Sequence, residues 1–139
     1  MSAFGSATKF FHACESLQGW DGCKDYVAAE APFTAQSEPL VDVHSVKDYC
    51  EWMAGLGKGP LNGCEYELHS SSYDEDNRTA VFFATFKGRH VADGGPVAPT
   101  QQQTQSDYVY ALKMNAEGKI ENMCKIWNAP WALKELGWA

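Results

Sequence analysis

Residues 105–128 read QSDYVYALKMNAEGKIENMCKIWN and carry the clearest structural pattern in the chain. Two segments, 105–114 and 119–128, alternate apolar and polar residues on either side of the polar tetrapeptide 115–118. Alternation with a period of two is typical of a strand, and a short polar connection that ends in glycine is typical of a hairpin. The stretch therefore predicts two long antiparallel strands joined by a turn.

More strand-like sequence lies directly before this hairpin. Segment 64–74 alternates weakly, segment 79–90 carries apolar residues on both faces, and a polar turn at 75–78 separates them. The Gly/Pro-rich loop 93–99 follows, and loops of this kind in a compact domain are often lids over functional sites. Behind the hairpin, Pro130 is expected to open a last helix.

The N-terminal half shows helical spacing instead. Apolar residues recur at helical intervals over 4–17, Asp21 is expected to cap a short second helix, and Ser45 a third. A short strand is expected at 33–36. Helices followed by a meander of strands predict a single α+β domain over 1–139. In it, a curved antiparallel sheet folds against N-terminal helices, with a small-molecule pocket between the layers.

Charge and cysteine content limit the partners and the compartment. The formal net charge is −7 and the basic residues are scattered, so we expect no nucleic acid partner. No apolar run is long enough for a membrane span and the first residues do not form a signal peptide, so we expect no membrane partner and a cytoplasmic location. The five cysteines form no C-x-x-C motif, so we expect buried free thiols and no metal site.

Several short segments, spread in order over nearly the whole chain, resemble a known family. They are 10–15 (FFHACE) with Gly19-Trp20, 88–90 (GRH) with Pro99-Thr100, and 118–120, 126–128 and 133–137 (GKI, IWN and LKELG). The last group is the most specific. On these segments the chain resembles the SnoaL-like polyketide cyclases of the nuclear transport factor 2-like (cystatin-like) superfold.

The resemblance implies a cone-shaped fold, usually dimeric, with a ligand pocket inside the cone. Family members include cyclases that close a ring by an intramolecular aldol reaction without metal or cofactor. Their general acid/base is a carboxylate at the end of the last strand, and Asn128 takes that position here. An amide exchanges no proton near neutral pH, but it can orient a ligand carbonyl. Asn128 also stands two residues before Pro130, where asparagine commonly caps a helix, and we favour the cap.

The hairpin register predicts which side chains share a face. If Met114 pairs with Lys119, Asp107 lies opposite Ile126 and on the same face as Asn128. The family's pocket position then makes this face the concave one. Asp107 becomes a buried carboxylate suited to act as a general base, the alternative being an exposed aspartate near the strand start.

Other candidate site residues are a histidine and four large aromatic side chains. His90 ends the long strand just before the predicted lid, where an imidazole can exchange protons near neutral pH; the alternative is a half-exposed histidine without a role. The candidate ligand-binding walls are Trp20, Phe33, Trp52 and Trp127, and core packing is the alternative for each.

The other face of the hairpin bears on assembly. It carries Tyr108, Tyr110, Met123 and Trp127. If this face is convex, it is a large exposed apolar patch, and it then predicts a homodimer through the sheet.

Two functions follow from these candidates. The first is a cofactor-independent, cyclase-like lyase or isomerase acting on a small hydrophobic carbonyl compound. In it, Asp107 or His90 moves the proton and Asn128 polarises the carbonyl. The second is a non-catalytic protein that binds a small hydrophobic ligand in the same pocket.

Overall fold

The computed structural model of the chain describes residues 2–139. The helices in this range are α1 (Ala3–Glu15), α2 (Gly19–Cys23), α3 (Val46–Lys58) and α4 (Ala129–Leu136). The strands are β1 (Phe33–Ala35), β2 (Glu65–Asp74), β3 (Thr79–Arg89), β4 (Gln103–Met114) and β5 (Ile120–Trp127). Short 3₁₀ turns occur at Lys24–Tyr26 and Glu38–Leu40. None of the helices within residues 2–139 has the length and hydrophobicity that crossing a bilayer would need.

The strands form one sheet in the order β1-β5-β4-β3-β2. From β2 to β5 the sheet is an antiparallel meander, whereas the short β1 pairs in parallel with β5. Bulges in β2 and β5 bend the strands, and α1 and α3 pack on one face of the sheet over a continuous apolar core. The predicted α+β fold, a curved sheet against helices, is confirmed, and β1 makes the sheet mixed rather than purely antiparallel.

Two predicted helix caps are present. The Ser45 hydroxyl oxygen accepts a hydrogen bond from the N–H of Asp48 at 3.0 Å, where α3 begins. The Asn128 side-chain oxygen accepts one from the N–H of Trp131 at 3.4 Å, where α4 begins. Both satisfy backbone donors that a helix leaves free in its first turn. The expected cap at Asp21 is wrong, because the chain enters α2 earlier, through a left-handed glycine, and the helix already includes this residue.

The hairpin register differs from the expected one by two residues, since Tyr108 lies opposite Trp127. The turn is closed by a hydrogen bond of 2.8 Å from the N–H of Asn115 to the carbonyl of Lys119. A bulge in β5 opposite Lys113 and Met114 then takes up one additional residue, Glu121. Because side chains alternate between faces, a slip of two residues leaves each side chain on its predicted face. The two sets of side chains are therefore as predicted, although their pairing is not.

The concave face is the opposite of the one expected. Tyr108 and Met123 point to the helices and are buried, whereas Asp107 and Ile126 are exposed on the outer face. The prediction that the Asp107/Asn128 side lines the cone is wrong. The physical reason is that the tyrosine-bearing face has more apolar area to bury, and that burying it leaves the Asp107 carboxylate in water.

Candidate functional site

A cavity of about 370 Å³ lies between the inner face of the sheet, α3 and α4. Apolar side chains make up most of its wall. They are Trp52, Met53, Leu56, Leu61, Phe86, Trp127, Leu133, Leu136 and Trp138. Pro96, from the loop predicted as a lid, also borders it. A cavity of this size and character suits a small, largely hydrophobic molecule.

Glu15, Tyr108 and Lys125 form a polar cluster that faces this cavity. Glu15 is the last residue of α1, and the other two project from the inner face of β4 and β5. Glu15, Tyr108 and Lys125 are only 4%, 3% and 6% exposed, respectively. Burying a carboxylate and an ammonium group is costly, so their meeting at a cavity indicates a functional site.

Aromatic rings surround the Lys125 ammonium group. Its Nζ lies 4.9 Å from the ring centre of Trp127, 5.0 Å from that of Tyr49, 5.2 Å from that of Tyr108 and 5.6 Å from that of Trp52. Its hydrogen bond goes to the Tyr49 hydroxyl, at 2.9 Å. Burial lowers the pKa of Lys125 to about 8, although the nearby carboxylate of Glu15 acts in the opposite direction. The amine is therefore partly neutral near physiological pH.

The Glu15 carboxyl group is buried and forms no direct ion pair with residues 2–139. Burial raises the pKa of Glu15, and the charge of Lys125 and the hydroxyls of Tyr108 and Tyr110 partly offset this rise. The Tyr108 hydroxyl lies close enough to influence the carboxyl group, yet neither this hydroxyl nor Oε2 of Glu15 has a hydrogen-bond partner among residues 2–139. Unpaired buried polar atoms are rare in folded proteins, and these two are available to a polar group of a ligand in the cavity.

Hydrogen bonds continue from the polar cluster into the core. The Tyr49 hydroxyl that accepts from Lys125 lies 3.0 Å from the Tyr110 hydroxyl, which in turn donates to Sγ of Cys14 at 3.7 Å. These contacts hold the Tyr49 oxygen, and through it the lysine, in one position.

A cluster of three thiols lies at the far end of these hydrogen bonds. Sγ atoms of Cys14, Cys23 and Cys50, from α1, α2 and α3, all lie within 4.8 Å of one another. Within residues 2–139, these three thiols are the one group of potential metal ligands that lie close enough together to share an ion. Thiols are ligands that soft metals prefer. Contacts with the other two thiols and burial raise the pKa of Cys14, which keeps its thiol protonated. The spacing of these cysteines in the sequence matches no metal-binding motif, so their proximity could not be predicted from the sequence.

Comparison with solved structures shows which fold encloses this cavity. A proposed SnoaL-like polyketide cyclase from Jannaschia sp. superposes with a TM-score of 0.78 at 13% identity, covering 99% of this chain and 92% of that one. A proposed hydroxylase from Streptomyces galilaeus, AclR, gives 0.76 at 18% identity, covering 99% and 85%. The BvnE pinacolase from Penicillium brevicompactum gives 0.70 at 12% identity, covering 95% and 86%.

The chain has the SnoaL-like, nuclear transport factor 2-like fold. The resemblance seen in the sequence is thus confirmed at the level of the fold. No protein-family model matches the sequence, and a search of curated proteins gave no match. The structural relatives bear the names of different activities, so the fold does not decide the reaction.

Asp107 lies outside the cavity of this SnoaL-like fold. Its exposed carboxylate, on the outer face of β4, accepts a hydrogen bond of 2.7 Å from the Thr85 hydroxyl, which also lies 2.7 Å from Nε2 of His69. The expected burial of Asp107 in the cone is wrong, because its position in the strand directs it to the face that the helices do not cover.

His90 is fully buried behind the cavity wall rather than on it. Its Nδ1 accepts hydrogen bonds from the N–H of Thr100, at 3.2 Å, and from the Trp138 indole, at 3.0 Å. Two donors at Nδ1 place the ring proton of the neutral imidazole on Nε2. His90 therefore ties the 91–100 loop to the C-terminal segment and holds Trp138, which lines the cavity.

Of the remaining candidate site residues, some line the cavity and others do not. Asn128 is exposed and caps α4, and Trp52 and Trp127 line the cavity. Phe33 is instead packed against Tyr49, with ring centres 4.7 Å apart, and Trp20 is also absent from the cavity wall. The three residues expected to act together, Asp107, His90 and Asn128, do not meet.

Glu15 and Lys125 are the site residues that sequence reasoning missed. Lys125 shares its strand face with Met123 and Trp127, and Glu15 directly follows the apolar stripe of the first helix. Because lysine and glutamate are usually exposed, these positions alone do not indicate burial.

Proposed function

We propose that this chain is a cofactor-independent, cyclase-like lyase or isomerase that moves a proton on a small hydrophobic carbonyl compound bound in the cavity. The observation that carries the proposal is the buried polar cluster of Glu15, Tyr108 and Lys125 at an otherwise apolar cavity. The Glu15 and Lys125 pair replaces Asp107, His90 and Asn128 as the proposed catalytic machinery.

The chemistry rests on two groups whose pKa values are shifted in opposite directions by burial. Burial lowers the pKa of Lys125 to about 8 and raises that of Glu15. An amine with such a pKa is present in both forms near neutral pH, as a proton-transfer catalyst must be. The Tyr108 hydroxyl, which has no partner of its own, can donate to the carbonyl oxygen as negative charge develops on it. Trp52 and Trp127 would hold the apolar part of the compound.

An exchange experiment tests this without knowledge of the natural substrate. Phenylacetone, a small hydrophobic ketone, is incubated with the protein in D₂O, and loss of its α-protons is followed by NMR. Wild-type protein should accelerate exchange, and Lys125→Met should reduce the acceleration by roughly 10²–10⁴-fold, the usual contribution of one positioned acid/base. Lys113→Met, an exposed lysine of β4, is the matched control and should exchange like wild type.

A non-catalytic ligand-binding protein is the second candidate. It is favoured by Asn128, the non-ionisable residue at the position where the resemblance places a carboxylate. Because three tryptophans line the cavity, ligand binding should change tryptophan fluorescence. Saturable fluorescence change with no acceleration of exchange, over a panel of small ketones and aldehydes, would establish the binder and reject the enzyme.

We also infer that two copies of the chain associate through the outer face of the sheet. The face proposed from the sequence, with Tyr108 and Met123, is covered by helices of the same chain. The opposite face carries Val81, Phe83 and Ile126, which are 37%, 41% and 62% exposed. A second copy would cover these side chains. The cytoplasm remains the predicted compartment, since all five cysteines are free.

A further inference from the structure

We propose that Lys125 is a nucleophile that forms an imine with an aldehyde or ketone bound in the cavity, a proposal that rests on the proposed function and assigns it a covalent mechanism. The inference starts from the position of Nζ. This atom is held at the cavity by a hydrogen bond to Tyr49, and no carboxylate of residues 2–139 lies within 4.0 Å of it. An amine bound to one acceptor, rather than locked in an ion pair, can turn its lone pair to a carbonyl carbon.

The aromatic surroundings favour the covalent product. Four ring centres lie between 4.9 and 5.6 Å from Nζ. Aromatic faces stabilise a cation at this distance. An iminium ion at Nζ carries the same charge in the same position as the ammonium ion. The rings that stabilise the ammonium ion of the free protein would therefore also stabilise the iminium intermediate. If Lys125 only abstracted a proton, its nitrogen would carry a positive charge, and so be stabilised by these rings, only after the proton had been transferred.

The charge state of the amine permits attack. The titratable groups that face it from the packed elements are Glu15 and Cys14 of α1, Tyr49 of α3, and Tyr108 and Tyr110 of β4. Glu15 and Cys14 act on the lysine in the direction of a higher pKa, but burial outweighs them and leaves its pKa at about 8. The neutral, nucleophilic form is therefore accessible near neutral pH.

The reaction balances with residues of the polar cluster. The Nζ lone pair forms a bond to the carbonyl carbon, and one proton passes from nitrogen to oxygen, which yields a carbinolamine. In its protonated form, the Glu15 carboxyl group at the same cavity can give its proton to the hydroxyl group. The C–O bond then breaks, and water leaves as nitrogen forms the C=N bond. The products are an iminium ion, a Glu15 carboxylate and water. That carboxylate can next remove an α-proton to give the enamine, and returning a proton to carbon restores the iminium ion. Water then adds to the C=N carbon, the C–N bond breaks, and the carbonyl product leaves the neutral Lys125 amine.

Reductive trapping tests the imine. The full chain is incubated with phenylacetone and cyanoborohydride, which reduces iminium ions, and the labelled residue is found by peptide mass spectrometry. We expect one dominant adduct, on Lys125. Its labelling near pH 7 should exceed that of an average exposed lysine by about 200-fold, the ratio of neutral amine at a pKa of about 8 and at the ordinary value of about 10.4. This preference for Lys125 should disappear as the pH approaches the ordinary pKa of lysine, because the exposed lysines then also lose their protons.

Variants and the exchange assay separate the possible outcomes. Lys125→Met should abolish the dominant adduct, and Lys113→Met should retain it; mapping the wild-type protein needs neither variant to fold. Labelling spread evenly over the lysines overturns the imine. Accelerated α-proton exchange with no Lys125 adduct also overturns it and leaves the proposed function standing. Absence of adduct, exchange and fluorescence change together would overturn both.

Discussion

Replacing Lys125 by methionine should change how the stability of the protein depends on pH. Burial lowers the pKa of this lysine to about 8 in the folded chain, whereas in the unfolded chain it returns to its ordinary value near 10.4. Between these two values the unfolded chain binds more protons than the folded one. The free energy of unfolding of the wild type therefore rises with pH across this window. Methionine has a similar length and no proton, so the variant lacks this contribution.

The expected size follows from the two pKa values. Between pH 7 and about pH 9.5, the wild type should gain about 2 kcal/mol relative to Lys125→Met. The variant also loses the hydrogen bond to Tyr49 and leaves Glu15 without a cation, so the offset between the two proteins at neutral pH contains several contributions. The slope of the difference against pH isolates the lysine, because the tyrosines and surface groups are common to both proteins.

Urea denaturation at several pH values measures this slope. With a typical urea dependence of roughly 1–3 kcal/mol per molar for a small protein, the midpoint difference should change by about 1 M over the window. Lys113→Met, exposed on β4, should follow the wild type at every pH. Parallel curves for wild type and Lys125→Met would show that the lysine titrates at its ordinary value, and the reasoning from burial would fail.

Three other changes test the arrangement of the sheet and the cysteines. Asp107→Asn should leave α-proton exchange within about twofold of wild type, because this carboxylate lies out of reach of the cavity; a loss of more than about tenfold would return it to the site. Ile126→Lys should shift the sedimentation of the proposed dimer toward that of a 15.4 kDa monomer, since it places a charge on the exposed outer face. Unchanged association would place the contact elsewhere. Dithiothreitol should leave the melting temperature unchanged because all five cysteines are free, whereas a clear fall would reveal a structural disulfide.

Much of the local structure could be predicted from the sequence alone. The alternation in 105–128 predicted the hairpin and both sets of side chains on its faces. Ser45 and Asn128 were predictable as caps because a cap depends on one side chain and the first turn that follows it. The order of helices and strands, together with the short segments that resemble the SnoaL-like cyclases, was sufficient for the α+β fold. All of these features depend on interactions between residues close in sequence or on a pattern repeated along it.

The tertiary structure decided which face is the inside and which residues meet there. Alternation separates Asp107 from Lys125, but only the packing of α1 and α3 on the tyrosine-bearing face determines that the lysine is the buried one. Glu15 and Lys125 are far apart in sequence, as are the three clustered cysteines, so no local pattern brings them together. Lysine and glutamate are usually exposed, and a sequence pattern therefore assigns them to solvent. Their burial at one cavity results from the whole fold, in which the surrounding core offsets the cost of removing two ionisable groups from water.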